Sequence, residues 1–349
     1  MTMAALPHVP AIRAAAERIA SRVGNGGDPA HAYTRDLALE GVLHLAVLTG
    51  DRRWYEVVEA AVSQRGWTAG VRAPWRSEPF CSLSWAWITA TSSAAGRSAF
   101  CAEAEDMCRT LERTADGLVT HPRGASRGGG VAVLLDSFQE YASRVARAGA
   151  WLGNVELFAD VAEQATKHRD LLRDPVSGLW CQGRGWIADR PHQLSPGTWS
   201  RGQGWLLRGL VAAVQAIPTT APAHATVKAI FVQAAEAVRA CQQTSGMWHA
   251  LPHRPASDSV AESSGTGLIA AALLDGIRSG IVPIEGYREC AMRAVAALVP
   301  RVDGAGVVHD ACPGPGPLQE EAPWLVPHFP PGDPHGAGCV LAALTAALR

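Results

Sequence analysis

The residues best equipped for chemistry stand together at 198–206, Thr-Trp-Ser-Arg-Gly-Gln-Gly-Trp-Leu, directly before an apolar helical run. Arg201 presents a planar fork of donors that fits a carboxylate, and Trp199 and Trp205 carry ring faces that suit a sugar. Gly202 and Gly204 let the backbone come close, and Gln203 between them adds a neutral donor and acceptor. The combination suits an acidic sugar. It equally suits a tight helix entry with two core tryptophans and a surface arginine. The second candidate is Asp136, which follows a small and apolar segment from Gly128 to Leu135. A carboxyl emerging from an apolar helix start loses water, which favours the protonated form that a general acid needs. The same residue also fits as the N-cap of a helix beginning at Ser137 or Phe138.

Further side chains are candidates of a weaker kind. Glu262, before Ser263-Ser264, suits either an acid-orienting or hydroxyl-binding role or plain complementation of a helix dipole. His249, His253 and His335 can donate to a substrate, but no metal-ligand spacing joins them. Tyr33 and Asp36 precede the first long helical pattern and belong either on the same rim or in its cap. Glu140, one helical turn after Asp136, either adds a carboxyl or faces solvent.

The elements that must position these residues are legible as a repeat. Asp116-Gly117-Leu118, Asp174 to Trp180 (DPVSGLW), Ser245 to Trp248 (SGMW) and Asp303 to Val308 (DGAGVV) each join a turn to an apolar residue. Their glycines recur at a spacing that marks a supersecondary unit. Between them the apolar pattern is helical, predicting pairs at 35–49 with 52–64, 138–152 with 154–172, 201–216 with 224–243, and 264–279 with 285–299. Each pair is a hairpin with one apolar face, and closing about six into a ring buries every inner face. The expectation is an all-α (α/α)6 barrel, a single domain over 1–349, with the turn segments as short β-like arms on one rim.

Composition narrows the partners. Formal net charge is −1 and 48% of residues are hydrophobic, with no block of like charges, so neither nucleic acid nor an anionic membrane is expected. The amino terminus lacks a secretory pattern and no long apolar stretch occurs, giving a cytoplasmic expectation. Eight scattered cysteines without a Cys-x-x-Cys pair read as buried small hydrophobes.

The motifs carry a resemblance as well. WSRGQGW is similar to the WxRGxGW element of glycoside hydrolase families 88 and 105, and DPVSGLW resembles their DPxTGLW turn. ESSGTG at 262–267 looks like their helix start, Arg278-Ser279-Gly280 like the RxG that closes that helix, and His335-Gly336-Ala337-Gly338 like a KGxG near the end. Leu135-Asp136-Ser137 sits where those enzymes carry LDxL. The resemblance spans roughly 35–345. It implies hydrolysis of an unsaturated uronosyl or related enol-ether sugar, with Asp136 as general acid/base, protonating C4 of the C4=C5 double bond and then, as the conjugate base, helping water add at C5, without metal or cofactor. It implies substrate contacts from Trp199, Arg201, Gln203, Trp205, Glu262, Gln182, His249 and His335. Where the family has a histidine-bearing HGxD, this chain has Cys181-Gln182-Gly183-Arg184, placing Gln182 in the histidine's stead. Where many members have a second aspartate, residues 78–85 offer only Glu78. Such a remodelled pocket leaves two alternatives: a glycosidase or modifying enzyme for another carbohydrate-containing small molecule in a specialised pathway, or a non-catalytic sugar-binding protein.

Overall fold

The computed structural model describes residues 8–27, 32–64, 83–121, 132–185, 190–314, 320–326 and 328–349. Among these, the α-helices are α1 (Val9–Gly24), α2 (Ala32–Thr49), α3 (Arg52–Gln64), α4 (Leu83–Thr91), α5 (Ala94–Thr110), α6 (Leu135–Leu152), α7 (Val155–Leu172), α8 (Ser200–Ala216), α9 (Pro222–Ala240), α10 (Ser263–Arg278), α11 (Tyr287–Leu298) and α12 (Pro334–Leu348). Strands β1 (Val133–Leu134) and β2 (Gly183–Arg184) pair antiparallel. Glu78 and the Gly128-Gly129-Gly130 run lie outside the described residues.

The architecture is the (α/α)6 toroid that the repeat predicts. Even-numbered helices form the inner wall and odd-numbered helices the outer one. The inner helices α6, α8, α10 and α12 are buried around nearly their whole circumference, whereas outer α3 buries a single stripe of Trp54, Val58, Ala61 and Val62. The expected hairpins are α2 with α3, α6 with α7, α8 with α9, and α10 with α11, while α4 with α5 adds a fifth. The sixth pair joins the two ends of the chain: inner α12 packs on outer α1. Glycine brings the inner helices together. A Cβ on Gly204 would stand 2.5 Å from that of Leu268, one on Gly209 2.7 Å from the Gln139 Cα, and one on Gly267 2.4 Å from the Cys339 carbonyl oxygen.

The four turn segments lie between an outer helix and the next inner helix, all on the rim where α6, α8, α10 and α12 begin. Gly117, Gly178, Gly246 and Gly306 take φ of 81°, 73°, 85° and 78°, which closes each turn. Single β-bridges Arg113–Val119, Arg173–Trp180 and Val302–Val308 span three of them, and His249–Ala261 extends the other. These are the predicted arms. Below this rim, Leu37, Trp205, Leu268 and Cys339 form an apolar cluster contributed by α2, α8, α10 and α12. Because α2 and α8 stand opposite each other in the ring, that cluster crosses the lumen. About one turn deeper, Arg208 donates from Nη2 to both oxygens of Glu40 at 3.2 and 3.1 Å. No helix among the described residues is long and apolar enough to cross a membrane.

Candidate active site

Asp136 owes its position to the β1–β2 pair. The Leu135 N–H donates to the Gln182 carbonyl at 3.0 Å, and Gly183 lies so close to β1 that a Cβ there would stand 2.3 Å from the Val133 carbonyl oxygen. The Gln182 amide Nε2 is thereby brought to Asp136 and donates to its Oδ2. Gly202 of α8 leaves the room this needs, since a Cβ there would stand 2.1 Å from Gln182 Oε1. Helix α6 begins at Leu135 with Leu134 as its N-cap, so Asp136 lies in the first turn and is not the cap. Its carboxyl is partly accessible at the lumen mouth. Burial pushes it up from the usual carboxylate range, against the opposing pull of the Arg201 charge, its own backbone N–H and Gln182.

Arg201, on the first turn of α8, is only 2% exposed. Its Nη1 donates to the Ser264 hydroxyl at 2.9 Å and to the Cys312 carbonyl, and its guanidinium lies 4.1 Å over the Trp199 ring. It forms no ion pair with any described carboxylate. The carboxylate nearest in the sequence pattern, Glu262, is engaged elsewhere. As the N-cap of α10 it accepts from the N–H groups of Ser264 and Gly265 at 2.8 and 2.5 Å, from Cys312 N–H at 2.9 Å, and from the hydroxyls of Ser264 and Ser200 at 2.5 and 3.2 Å. Glu262 is fully buried and ties α8, α10 and the 310–312 segment together.

Sequence reasoning did not foresee the arrangement opposite. The Asp333 carboxylate caps α12, accepting from the His335 backbone N–H at 3.0 Å and from its ring Nδ1 at 2.6 Å. A carboxylate only accepts, so Nδ1 carries the hydrogen and Nε2 is left as an acceptor, 2.5 Å from the Tyr33 hydroxyl. Burial would raise the Asp333 carboxyl, but the hydrogen bonds and charge of His335, with Arg201 behind, hold it below the usual range. The Tyr33 phenol is pushed up to about 12 by burial, opposed by Arg201 and reinforced by Asp136. Asp333 was detectable as an Asp-Pro helix entry, since aspartate favours the N-cap and proline the first helical position.

The remaining candidates are buried or bonded within the protein. The Gln203 side chain is buried, accepting from Trp180 N–H at 3.0 Å and donating to the Trp180 carbonyl at 2.6 Å, so it clamps the DPVSGLW turn to α8. Trp199 packs against Trp324 and lies beneath Arg201, and Trp205 belongs to the apolar cluster, so both indoles are core. His249 is half-buried in the bridge to Ala261, its imidazole pushed down by burial. His253 joins the Thr198 hydroxyl at 2.8 Å to Glu321 at 2.9 Å. Glu140 neither faces solvent nor offers an open carboxyl: it is buried and accepts from Arg144 at 3.0 and 2.6 Å. Asp36 is buried within α2. No group of three His, Cys, Asp or Glu among the described residues is placed to hold a metal ion.

Comparison with known proteins follows this geometry. The model of Glycosyl Hydrolase Family 88 matches residues 13–349. No curated protein matches the chain. Among solved structures, a possible member of the GH105 family from Klebsiella pneumoniae superposes with a TM-score of 0.79 at 19% identity, covering 100% of this chain and 96% of that one. A family 105 glycoside hydrolase from C. acetobutylicum gives 0.78 at 18% identity, covering 95% and 98%. The unsaturated glucuronyl hydrolase of Bacillus sp. GL1, responsible for glycosaminoglycan degradation, gives 0.71 at 18% identity, covering 96% and 95%. At such identities the structural likeness establishes the fold.

Proposed function

The chain belongs to glycosyl hydrolase family 88, and from that premise we propose that this glycoside hydrolase acts on an unsaturated uronic acid glycoside, with Asp136 as its proton donor. One observation carries the reading. A carboxyl that burial pushes up from the usual carboxylate range shares its surroundings with a buried guanidinium that has no ion pair among the described residues. A buried cation without a counter-ion is costly, and a substrate carboxylate entering beside Arg201 supplies one. That carboxylate is the substituent at C5 of a uronic acid, so the C4=C5 bond is brought toward Asp136.

In this chemistry the Asp136 proton passes to C4, water adds at C5, and the resulting hemiketal opens the ring. The hemiacetal left at C1 then expels the leaving alcohol. Protonation of an electron-rich alkene is the demanding step, and it requires an acid that is still protonated near neutral pH. Gln182 holds the carboxyl in place, and Glu262 keeps the starts of α8 and α10 together so that Arg201 and Ser264 meet. A second reading, cleavage of a glycoside on a compact small molecule, is favoured by the burial of Trp199 and Trp205, which leaves no indole platform from that motif for a further sugar.

The test follows loss of the enol-ether ultraviolet absorbance on mixing the protein with lyase-generated unsaturated disaccharides. Wild-type activity that falls by about 10²–10⁴-fold in Asp136→Asn is the expected result. Unchanged absorbance across the panel, with turnover of a saturated glycoside instead, selects the second reading.

A further inference from the structure

The lumen has a lower half that the proposed reaction does not use, and helical phase decides which side chains line it. From Asp136 to Arg147 the chain of α6 turns about three times, so Arg147 lies on the face of Asp136, about 16 Å further along the helix. From Leu37 of the apolar cluster to His44, α2 turns about twice, which puts His44 on the same face about 10 Å below that cluster. Both sit within the fields of Glu40 and Arg208, the pair already placed beneath the cluster. Most of their charged neighbours are matched. Arg144 donates to Glu140 at 2.6 Å and to Glu103 of outer helix α5 at 2.9 Å, and Asp275 meets Arg278 at 2.5 Å and Arg349 at 3.1 Å. Arg147 makes no hydrogen bond or ion pair with any described residue. Its guanidinium lies 4.6 Å over the Trp85 ring, which stacks on Trp151 at 4.3 Å, and an indole face attracts a cation without balancing its charge. Burial pushes this guanidinium down to about 10, so it is still charged at neutral pH. His44 also makes no hydrogen bond with a described residue, and burial pushes its imidazole down, leaving a neutral ring with one N–H donor. Both side chains are partly accessible.

We propose that this lower half of the lumen is a second binding site, for a small molecule bearing one carboxylate, with Arg147 as its cationic anchor and His44 as a neutral donor. Charge selects the class. The groups that act most strongly on Arg147 are Glu40, Arg208, Glu140 and Arg144, two of each sign, so its own positive charge is the one left over. A planar guanidinium fork matches a carboxylate through two parallel bonds. A dianion such as inorganic phosphate brings more charge than one cation balances. The inner helices around the site and the apolar cluster above it hold the ligand to a small size. That cluster also separates the site from Asp136 and Arg201.

The experiment titrates the protein with sodium acetate at constant ionic strength, following Tm and binding heat. Arg201 has no ion pair either, so the titration uses Arg201→Gln, alone and with Arg147→Met added. Methionine keeps a long apolar chain on Trp85 and removes the charge. The Arg201→Gln protein is expected to gain about 2–4 °C at saturating acetate, with one site. Adding Arg147→Met is expected to weaken acetate binding by about tenfold or more. Without acetate the double variant should melt no lower than its parent, because an apolar chain replaces an unbalanced charge. A titration that does not saturate overturns the site, as does an equal gain with and without Arg147. If Arg147 only props Trp85, the double variant melts lower and neither protein answers to acetate, which also overturns it. Phosphate binding more tightly than acetate overturns the carboxylate assignment. Should the double variant fail to fold, a crystal of Arg201→Gln grown in acetate decides: a carboxylate on the Arg147 fork supports the site, and a bare fork overturns it.

Discussion

At the scale of single residues, the charge on Arg201 has two separable effects. In the proposed reaction it supplies the counter-ion for a substrate carboxylate, and it pulls the Asp136 carboxyl down against the effect of burial. Arg201→Gln should therefore raise KM for a uronide by about 10–100-fold, the range expected for one charge-assisted bond. It should also let the Asp136 pKa climb further. Since the protonated acid is the working form, the alkaline limb of kcat should move to higher pH, not lower. Steady-state profiles of the variant check both signs. A rise in KM with an unmoved limb would mean that Arg201 acts on substrate alone. The places of Asp136 and Arg201 at the starts of two apolar helices were legible from sequence because they follow from local pattern. The Tyr33–His335 bond was not, since its partners stand 302 positions apart and only ring closure brings them together.

At the scale of elements, the helix starts do the positioning, and glycines decide how close they come. Gly202 and Gly265 give a contrast. A methyl at Gly202 meets the flexible end of Gln182, whereas one at Gly265 would stand 2.7 Å from the Arg201 backbone nitrogen and the Ser200 carbonyl carbon. Gly202→Ala should therefore fold with little loss of Tm yet lose roughly tenfold or more in kcat, as Gln182 is pushed from Asp136. Gly265→Ala should lose about 1–3 kcal/mol of stability, because backbone cannot step aside. Thermal melts beside kinetics tell these apart, and a Gly202→Ala enzyme of full activity would show that the Gln182 bond does not matter. The repeat of turn glycines made the hairpins readable, since a positive φ leaves few other residues. Trp199 and Trp205 read as sugar platforms for the opposite reason: an indole's identity does not reveal which way its helix faces, and both turn into the core.

At the scale of the whole molecule, the ring is completed by its own ends. Arg18 on α1 donates to the Val302 and Asp303 carbonyls, while α12 carries His335 on the inner wall. Inner helices run away from the active rim and outer ones return to it, so the end of α12 and the start of α1 meet at the far rim. A permuted chain that joins Arg349 to His8 through a short linker and opens at Gly153-Asn154 should fold and keep activity within about tenfold, because no buried backbone bond is cut beyond one exposed helix junction. Circular dichroism and turnover measure this, and a permutant that does not fold would mean that closure depends on the order of synthesis. The apolar cluster of Leu37, Trp205, Leu268 and Cys339, with the Glu40–Arg208 pair beneath it, has its own bearing on substrates. On the proposed reading, a lumen that the described residues close at this level would admit substrate from the rim of Asp136, so a polymer would be trimmed from a chain end and each detached unit would back out before the next end enters.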